Sequence, residues 1–213
     1  MGFRGWPAEA LEFFEELAVD NTKAFWTAHK QVYDTAVYAP MAALVAELSP
    51  EFGEGKIFRP YRDVRFSADK TPYKTQIAAT LGRGFVRLNA EGLGAGVGMH
   101  MMERDQLARY RQAVADESSG TELTGVIGSL ARQKIEVRGH EEMTRVPRGY
   151  PAGHPRAELL KYKGIIAWQD WLAGAWLGRA TAQDRVVKFL RATRPLDDWL
   201  AAHVGPAGSA ASA

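Results

Sequence analysis

Hydrophobic residues recur at helical spacing over residues 1–55. Leu11, Phe14 and Leu17 stand three apart behind Pro7, which suits the first turn of a helix. A second stripe, Phe25, His29, Val32 and Ala36, follows the cap-forming Asp20-Asn21-Thr22. A third begins near Pro40 with Met41, Leu44, Val45 and Leu48, and Ser49-Pro50 is read as its end. Helices this rich in apolar side chains must bury one face on something else, and the expected partner is a sheet.

From Ile57 the period falls to two. Ile57, Arg59, Tyr61, Asp63 and Arg65 share one side of an extended segment; Phe58, Pro60, Arg62, Val64 and Phe66 share the other. Strands are predicted at 76–81, 85–88 and 94–102, separated by Gly82-Arg83-Gly84 and Asn89-Ala90-Glu91-Gly92, which is the pattern of an antiparallel meander. Helices over 103–116 and 122–132 follow, then short extended pieces at 135–137 and 144–146. A helix over 155–162, a strand at 165–168 and two closing helices at 182–192 and 196–203 complete the reading. The expected fold is α+β, a single domain over residues 1–204 with a mostly antiparallel twisted sheet packed by N-terminal and C-terminal helices. The small residues of 205–213 are read as a flexible tail.

Composition narrows the function classes. A hydrophobic share of 46% over 213 residues is that of a folded protein, not a disordered one. The absence of cysteine excludes disulfides, thiolate zinc sites, iron–sulfur clusters and a cysteine nucleophile. With no apolar run long enough for a membrane span and no signal or lipidation pattern near the start, a soluble cytoplasmic protein without a membrane partner is expected.

The net charge of +2 argues against a surface basic throughout, but it hides a segregation. Residues 1–55 carry 3 basic and 9 acidic side chains; residues 56–76 carry 6 and 2, and residues 132–163 carry 8 and 4. Two basic segments, each of net +4, therefore stand in a nearly neutral chain.

The first, Arg59-Pro60-Tyr61-Arg62-Asp63-Val64-Arg65 running on to Lys70-Thr71-Pro72-Tyr73-Lys74, cannot bury its guanidiniums without partners. Either Asp63, Asp69 and acids of the N-terminal helices pair with them, or some fork around a phosphate or carboxylate. Ser67-Ala68-Asp69-Lys70 matches a bare Ser-x-x-Lys pattern, but Thr71-Pro72 interrupts the helix that this nucleophile needs. The second segment, Arg145-Val146-Pro147-Arg148-Gly149-Tyr150 to Lys161-Tyr162-Lys163-Gly164, combines an irregular loop with a helix end, where lysines are favoured by the dipole. Between them, Gly92, Gly94, Gly96 and Gly98 bare one side of a strand to a helix, a ring or a ligand, helix-on-sheet packing being the first expectation. The five histidines are scattered at 29, 100, 140, 154 and 203 without metal-ligand spacing, so no metal site is assigned; the glycines lack the spacing of a nucleotide fingerprint, and the cofactor is left open.

The stretch RPYRDVRFSADKTPYKTQI, the Gly-rich strand leading into MERDQLARYRQAV, and RVPRGYPAGHPRAELLKYKG resemble, in order and spacing, a family of bacterial and fungal proteins designated domain of unknown function 2461. The resemblance runs from the Phe13-Phe14 helix to the Pro195-Leu196 helix, with Asp20-Asn21 where the family often has Asn-Asn. It implies a single α+β domain and brings no established reaction with it.

The leading functional expectation is binding of, or catalysis on, a phosphorylated or carboxylated small molecule. Arg62, Arg65, Lys70 and Lys74 would hold the anion, and Arg148, Lys161 and Lys163 would close the site. Tyr73, His100 and His154 are the candidate acid–base groups, with Asp63 and Asp69 as orienters. The alternatives are a nucleic-acid accessory using the same cations and a partner-binding module presenting the acidic helical face. The residues leave catalysis, oligomeric state and substrate open.

Overall fold

The computed structural model describes residues 2–65 and 67–208. Phe66, assigned above to one side of the extended segment, and residues 209–213 of the expected tail lie outside the described residues. The fold is α+β. Its elements are α1 (Glu9–Val19), α2 (Lys23–Val32), a π-helical stretch (Tyr33–Tyr38), α3 (Ala39–Phe52), β1 (Gly55–Ile57), β2 (Gln76–Leu81), β3 (Gly84–Asn89) and β4 (Gly92–Met99). Then come α4 (Arg104–Ala115), α5 (Glu117–Arg132), β5 (Glu136–Glu142), α6 (Ala157–Lys161), β6 (Tyr162–Leu172) and α7 (Thr181–His203). The strands form one six-stranded antiparallel sheet in the order β1-β2-β3-β4-β6-β5. Among the described residues, no helix is long and apolar enough to cross a membrane.

By compactness the chain falls into two units: residues up to Ala95 with Asp170–Leu190, and Gly96–Gln169 with residues from Arg191 onward. In the first, Phe13, Phe14 and Leu17 of α1 and Met41, Leu44 and Leu48 of α3 are buried, as are Ile77, Leu81, Val86 and Leu88 of the meander. The stripes of α1 and α3 are thus largely the buried ones, whereas in α2 Phe25, His29 and Val32 are only half-buried and Trp26, with Tyr33 after it, fills the core. In the second, Tyr110, Leu123, Leu130, Ile165, Trp199 and Leu200 form the core. The Trp199 indole N–H donates to Ser119 O at 2.9 Å, which satisfies the one polar atom of a fully buried ring.

Several boundaries differ from the reading, each for a physical reason. The expected break before Pro40 is absent, and α2 passes through the π-helical stretch into α3. A widened turn shifts the hydrogen-bond ladder where Pro40 has no N–H to offer. Asp116 caps α5 by accepting from the Ser118 and Ser119 amides, so that helix starts five residues earlier than its apolar stripe. Pro195 lies inside α7 without ending it. Buried Phe189 and Leu190 before it, and Leu196, Trp199 and Leu200 after it, anchor both flanks against a proline cost of about 3 kcal/mol. The residues 144–146 form no strand, while β5 and β6 are longer than expected. At the chain's end, Gly205 O accepts from Gln106 Nε2 at 2.9 Å and the Gly208 amide donates to Asp105 Oδ2 at 2.7 Å.

The long extended segment from Ile57 is a strand only as far as β1 itself. Beyond Phe58 the chain leaves the sheet as a closed lobe, and that lobe carries the first basic segment.

Candidate functional site

The lobe is closed at its neck by a bridge between Tyr61 and Tyr73. The Arg62 amide donates to Pro72 O at 2.9 Å and the Lys74 amide to Pro60 O at 2.8 Å. Two prolines that can only accept thus sit on the accepting side of both bonds. Asn21, from the connection between α1 and α2, clasps the neck: its Nδ2 donates to Tyr73 O and its Oδ1 accepts from the Tyr73 amide, both at 3.0 Å. The Tyr73 ring stacks on Trp26 of α2, with centroids 4.3 Å apart and planes 6° from parallel. Thr22 takes over as the cap of α2, accepting from the Phe25 amide, so Asn21 is available to hold the lobe.

Inside the lobe, carboxylates meet two of the guanidiniums. Arg65 forks onto Asp63, with Nε to Oδ1 at 2.9 Å and Nη2 to Oδ2 at 2.6 Å. That bidentate contact, led by the Arg65 side chain, holds the Asp63 carboxyl below its ordinary range. Arg62 pairs with Asp69. Asp69 also accepts from the Thr71 amide at 2.9 Å and from its hydroxyl at 2.8 Å. The Thr71 amide first, then Arg62, pulls the Asp69 carboxyl down to about 2.

The lysines end differently. Lys70 Nζ donates to Val64 O at 2.9 Å. Lys74 Nζ donates to Arg59 O at 3.0 Å and lies 5.6 Å from the centre of the Phe58 ring. A carbonyl oxygen orients an ammonium without cancelling its charge. Lys56 and Arg59 are exposed, and Arg59 forms no direct bond to an acid but helps, more weakly than Arg65, to lower the Asp63 carboxyl. The +4 of the segment therefore resides on Lys56, Arg59, Lys70 and Lys74, with Arg62 and Arg65 neutralised in place.

The second basic segment belongs to the second compact unit. Lys161 reaches Glu158 at 2.6 Å and Lys163 reaches Glu141 at 3.1 Å. Arg148 stands exposed on a turn. Arg156, which the sequence reading passed over, is the buried cation of the segment, its side chain 9% exposed. Its Nε donates to Val114 O at 2.7 Å and its Nη2 to Asp116 O at 3.0 Å and Glu117 Oε2 at 3.1 Å, closing the C-terminal carbonyls of α4. The clue was in the sequence only as an arginine beside the Pro155 helix start.

Of the candidate acid–base groups, Tyr73 belongs to the first unit and His100 and His154 to the second. Tyr73 is buried at the lobe neck, and desolvation pushes its phenol up. His154 Nδ1 accepts from the Arg156 amide at 3.0 Å, which fixes a loop turn. His100 follows β4 and lies against His140 of β5, the ring centroids 3.5 Å apart. The glycine side of β4 is met by a ring and not by a helix at Gly96, where a Cβ would come within 2.6 Å of Trp168.

A cleft of about 480 Å³ in the second unit was not foreseen; Gln112, Asp116, Ser118, Glu122 and His203 line it. Asp116 is committed to capping α5, and His203 Nε2 lies 3.7 Å from Glu122. Among the described residues every buried side-chain nitrogen and oxygen has a hydrogen-bond partner, and no cluster of three metal-ligating residues occurs.

No curated protein and no solved structure matches the chain. The model of one family, "Conserved hypothetical protein (DUF2461)", matches residues 9–199, which include α1, the whole lobe and both basic segments. The α+β architecture and that match agree with the resemblance carried by the lobe sequence, and the chain belongs to the DUF2461 family of conserved hypothetical proteins.

Proposed function

We propose that this protein binds an anionic ligand, a phosphorylated or carboxylated small molecule, at the lobe of residues 58–74. The observation that supports this reading is the split within the lobe: two arginines neutralised by Asp63 and Asp69 and, among the described residues, three further cations, Arg59, Lys70 and Lys74, that end on no carboxylate. The neutralised pairs and the Asn21 clasp hold the loop in shape. Arg59, Lys70 and Lys74 then supply the attraction, with Lys56 beside them. Lys161 and Lys163 are already paired, so the reading rests on the first segment alone.

Amide NMR spectra recorded during titration with pyrophosphate, and separately with a tricarboxylate, test it. Shifts should concentrate in residues 59–74 and vanish in an Arg59→Ala/Lys74→Ala double variant. A ligand at 100 times its Kd should also raise stability by about 2.7 kcal/mol. Silence from both anions at low salt, or equal affinity in the double variant, would overturn the reading.

The exposed rings of Phe58 and Tyr61 on either side of Arg59 favour a second reading, single-stranded nucleic acid. It predicts an affinity that falls with salt by about 0.7 log units per log unit of salt for each phosphate contacted.

A further inference from the structure

The lobe of residues 58–74 holds a ring beside its cations. Tyr61 is half exposed, and its ring leans on two buried ones: Tyr73, with centroids 5.5 Å apart, and Trp26, at 6.2 Å. We propose that the anion bound here carries a planar ring, as a mononucleotide does, and that this ring stacks on the open side of Tyr61 while Arg59, Lys70 and Lys74 hold the phosphates. The inference rests on the anion reading of the same lobe and adds to it the class of ligand.

The platform is in place before any ligand arrives. Trp26 and Tyr73 are each 5% exposed and stack at 4.3 Å with planes 6° apart. Asn21 fixes the Tyr73 backbone through both its amide and its carbonyl, and Tyr61 is bridged to Tyr73 across the neck. A ring held in this way loses little freedom when a ligand covers it, so more of the stacking energy appears as affinity. The charge is tied to the same stretch of chain. Lys74 donates through its amide to Pro60 O at 2.8 Å and through Nζ to Arg59 O at 3.0 Å, the two residues that lead into Tyr61. Ring and ammonium are therefore positioned by one network of bonds.

The neighbouring rings are engaged differently. Lys74 Nζ lies 5.6 Å from the centre of the Phe58 ring, where cation–π attraction occupies a face, and Tyr73 is buried. Among the described residues no cation lies over the Tyr61 ring. Proteins that bind single strands lay successive bases on successive rings along a basic groove. A single open ring among the described residues of the lobe, beside three cations, suits one base-sized plane and one group of phosphate oxygens, which is the shape of a mononucleotide and not of a strand. An exposed aromatic side chain alone would mean nothing, because scattered apolar surface is ordinary. Tyr61 gains its weight from the combination of an open face, a buried aromatic support and uncancelled cations within one closed loop.

The test compares two diphosphate monoesters of equal charge, with and without a ring, on the full chain at low salt. ADP should bind about 5- to 150-fold more tightly than methyl diphosphate, the ratio that one base–aromatic stack gives. The adenine ring protons should move upfield as the ring current of Tyr61 acts on them. Tyr61→Leu should erase the ratio by weakening ADP alone, and Tyr61→Trp should restore it. Should Tyr61→Leu melt early, the wild-type ratio and the adenine shifts decide. Methyl diphosphate bound as tightly as ADP overturns the inference and leaves the anion reading standing; silence from both overturns both. Equal losses for the two anions in a Tyr61→Leu variant that melts with wild type would make Tyr61 a support of the loop and overturn the inference, as would retention of an oligothymidylate by a protein that ignores ADP.

Discussion

In residues 56–76 the side chains of Arg62 and Arg65 end on carboxylates of the same loop, while Lys70 and Lys74 end on carbonyl oxygens. In residues 132–163 the pattern is reversed. There the lysines end on Glu158 and Glu141, and it is an arginine, Arg156, that is spent on backbone carbonyls, inside the structure. Both segments carry +4 and both leave cations exposed, Arg59 and Lys70 in the first and Arg145 and Arg148 in the second; the difference is that the second also buries one cation, Arg156, as a strut. Net charge along a chain measures how many cations have no acid nearby in sequence. Which of them are available to a ligand depends on whether the group that holds each one is charged or neutral.

The widest separation between the two regions is expected at Arg156. Replacing it with alanine leaves the carbonyls of Val114 and Asp116 without their donor in a partly buried corner, and stability should fall by about 3 kcal/mol in denaturant melts. Arg156→Lys should recover only part of this, since an ammonium cannot fork to carbonyls on successive residues. A loss under about 1 kcal/mol would mean that water replaces the guanidinium and that the strut reading is wrong.

The clasp of the first region comes next. Asn21→Ala removes two 3.0 Å hydrogen bonds to Tyr73 and should cost about 1–2 kcal/mol. The more specific readout is hydrogen exchange at the Arg62 and Lys74 amides, which close the neck. Their protection should drop while that of β2 is kept. Uniform loss of protection would place the clasp in the global fold and not in the lobe.

These two positions also mark how far the sequence could be read. The stripes Phe14, Leu17 and Met41, Leu44, Leu48 are buried as their spacing implies, and β2 has the bounds that alternation gave it. The first part of the lobe was read as an extended segment because residues 57–65 can be sorted onto two sides at period two, with Arg62 and Val64 on one and Arg59, Asp63 and Arg65 on the other. What overrides the alternation is local: Pro60 and Pro72 cannot donate to a ladder, and Asp63 and Asp69 bond the backbone of their own loop. Candidate ligand residues were visible as a basic cluster, but their division into neutralised and unneutralised cations depends on which group each side chain ends on, two residues away for Arg65 on Asp63 and seven for Arg62 on Asp69. Arg156 showed only as an arginine beside the Pro155 helix start, since it acquires its role from carbonyls about 40 residues away in sequence.

A smaller effect is expected from the carboxylate at the centre of the lobe. Asp69 has a folded value of about 2 against an ordinary 3.8, so its bonds to Thr71 and Arg62 support the fold above about pH 4 and are lost as the pH falls through 2. A carboxyl NMR titration should place Asp69 among the lowest in the chain. Asp69→Asn should flatten the acid limb of lobe stability without moving the neutral plateau of the second unit. A titration midpoint near 3.8 would remove the Thr71 turn from the account.

The smallest effect should come from Lys161, and its smallness is the point. Its pair with Glu158 spans one turn of a five-residue helix, and the glutamate side chain is 74% exposed. Water and salt screen such a contact, and ordering two long side chains offsets much of the attraction. Lys161→Ala should therefore change stability by no more than about 0.5 kcal/mol and leave pyrophosphate binding unaltered. An affinity loss in this variant as large as that in Arg59→Ala would show that the second basic segment shares the anion, and the contrast between a ligand-binding lobe and a segment built around a buried strut would have to be given up.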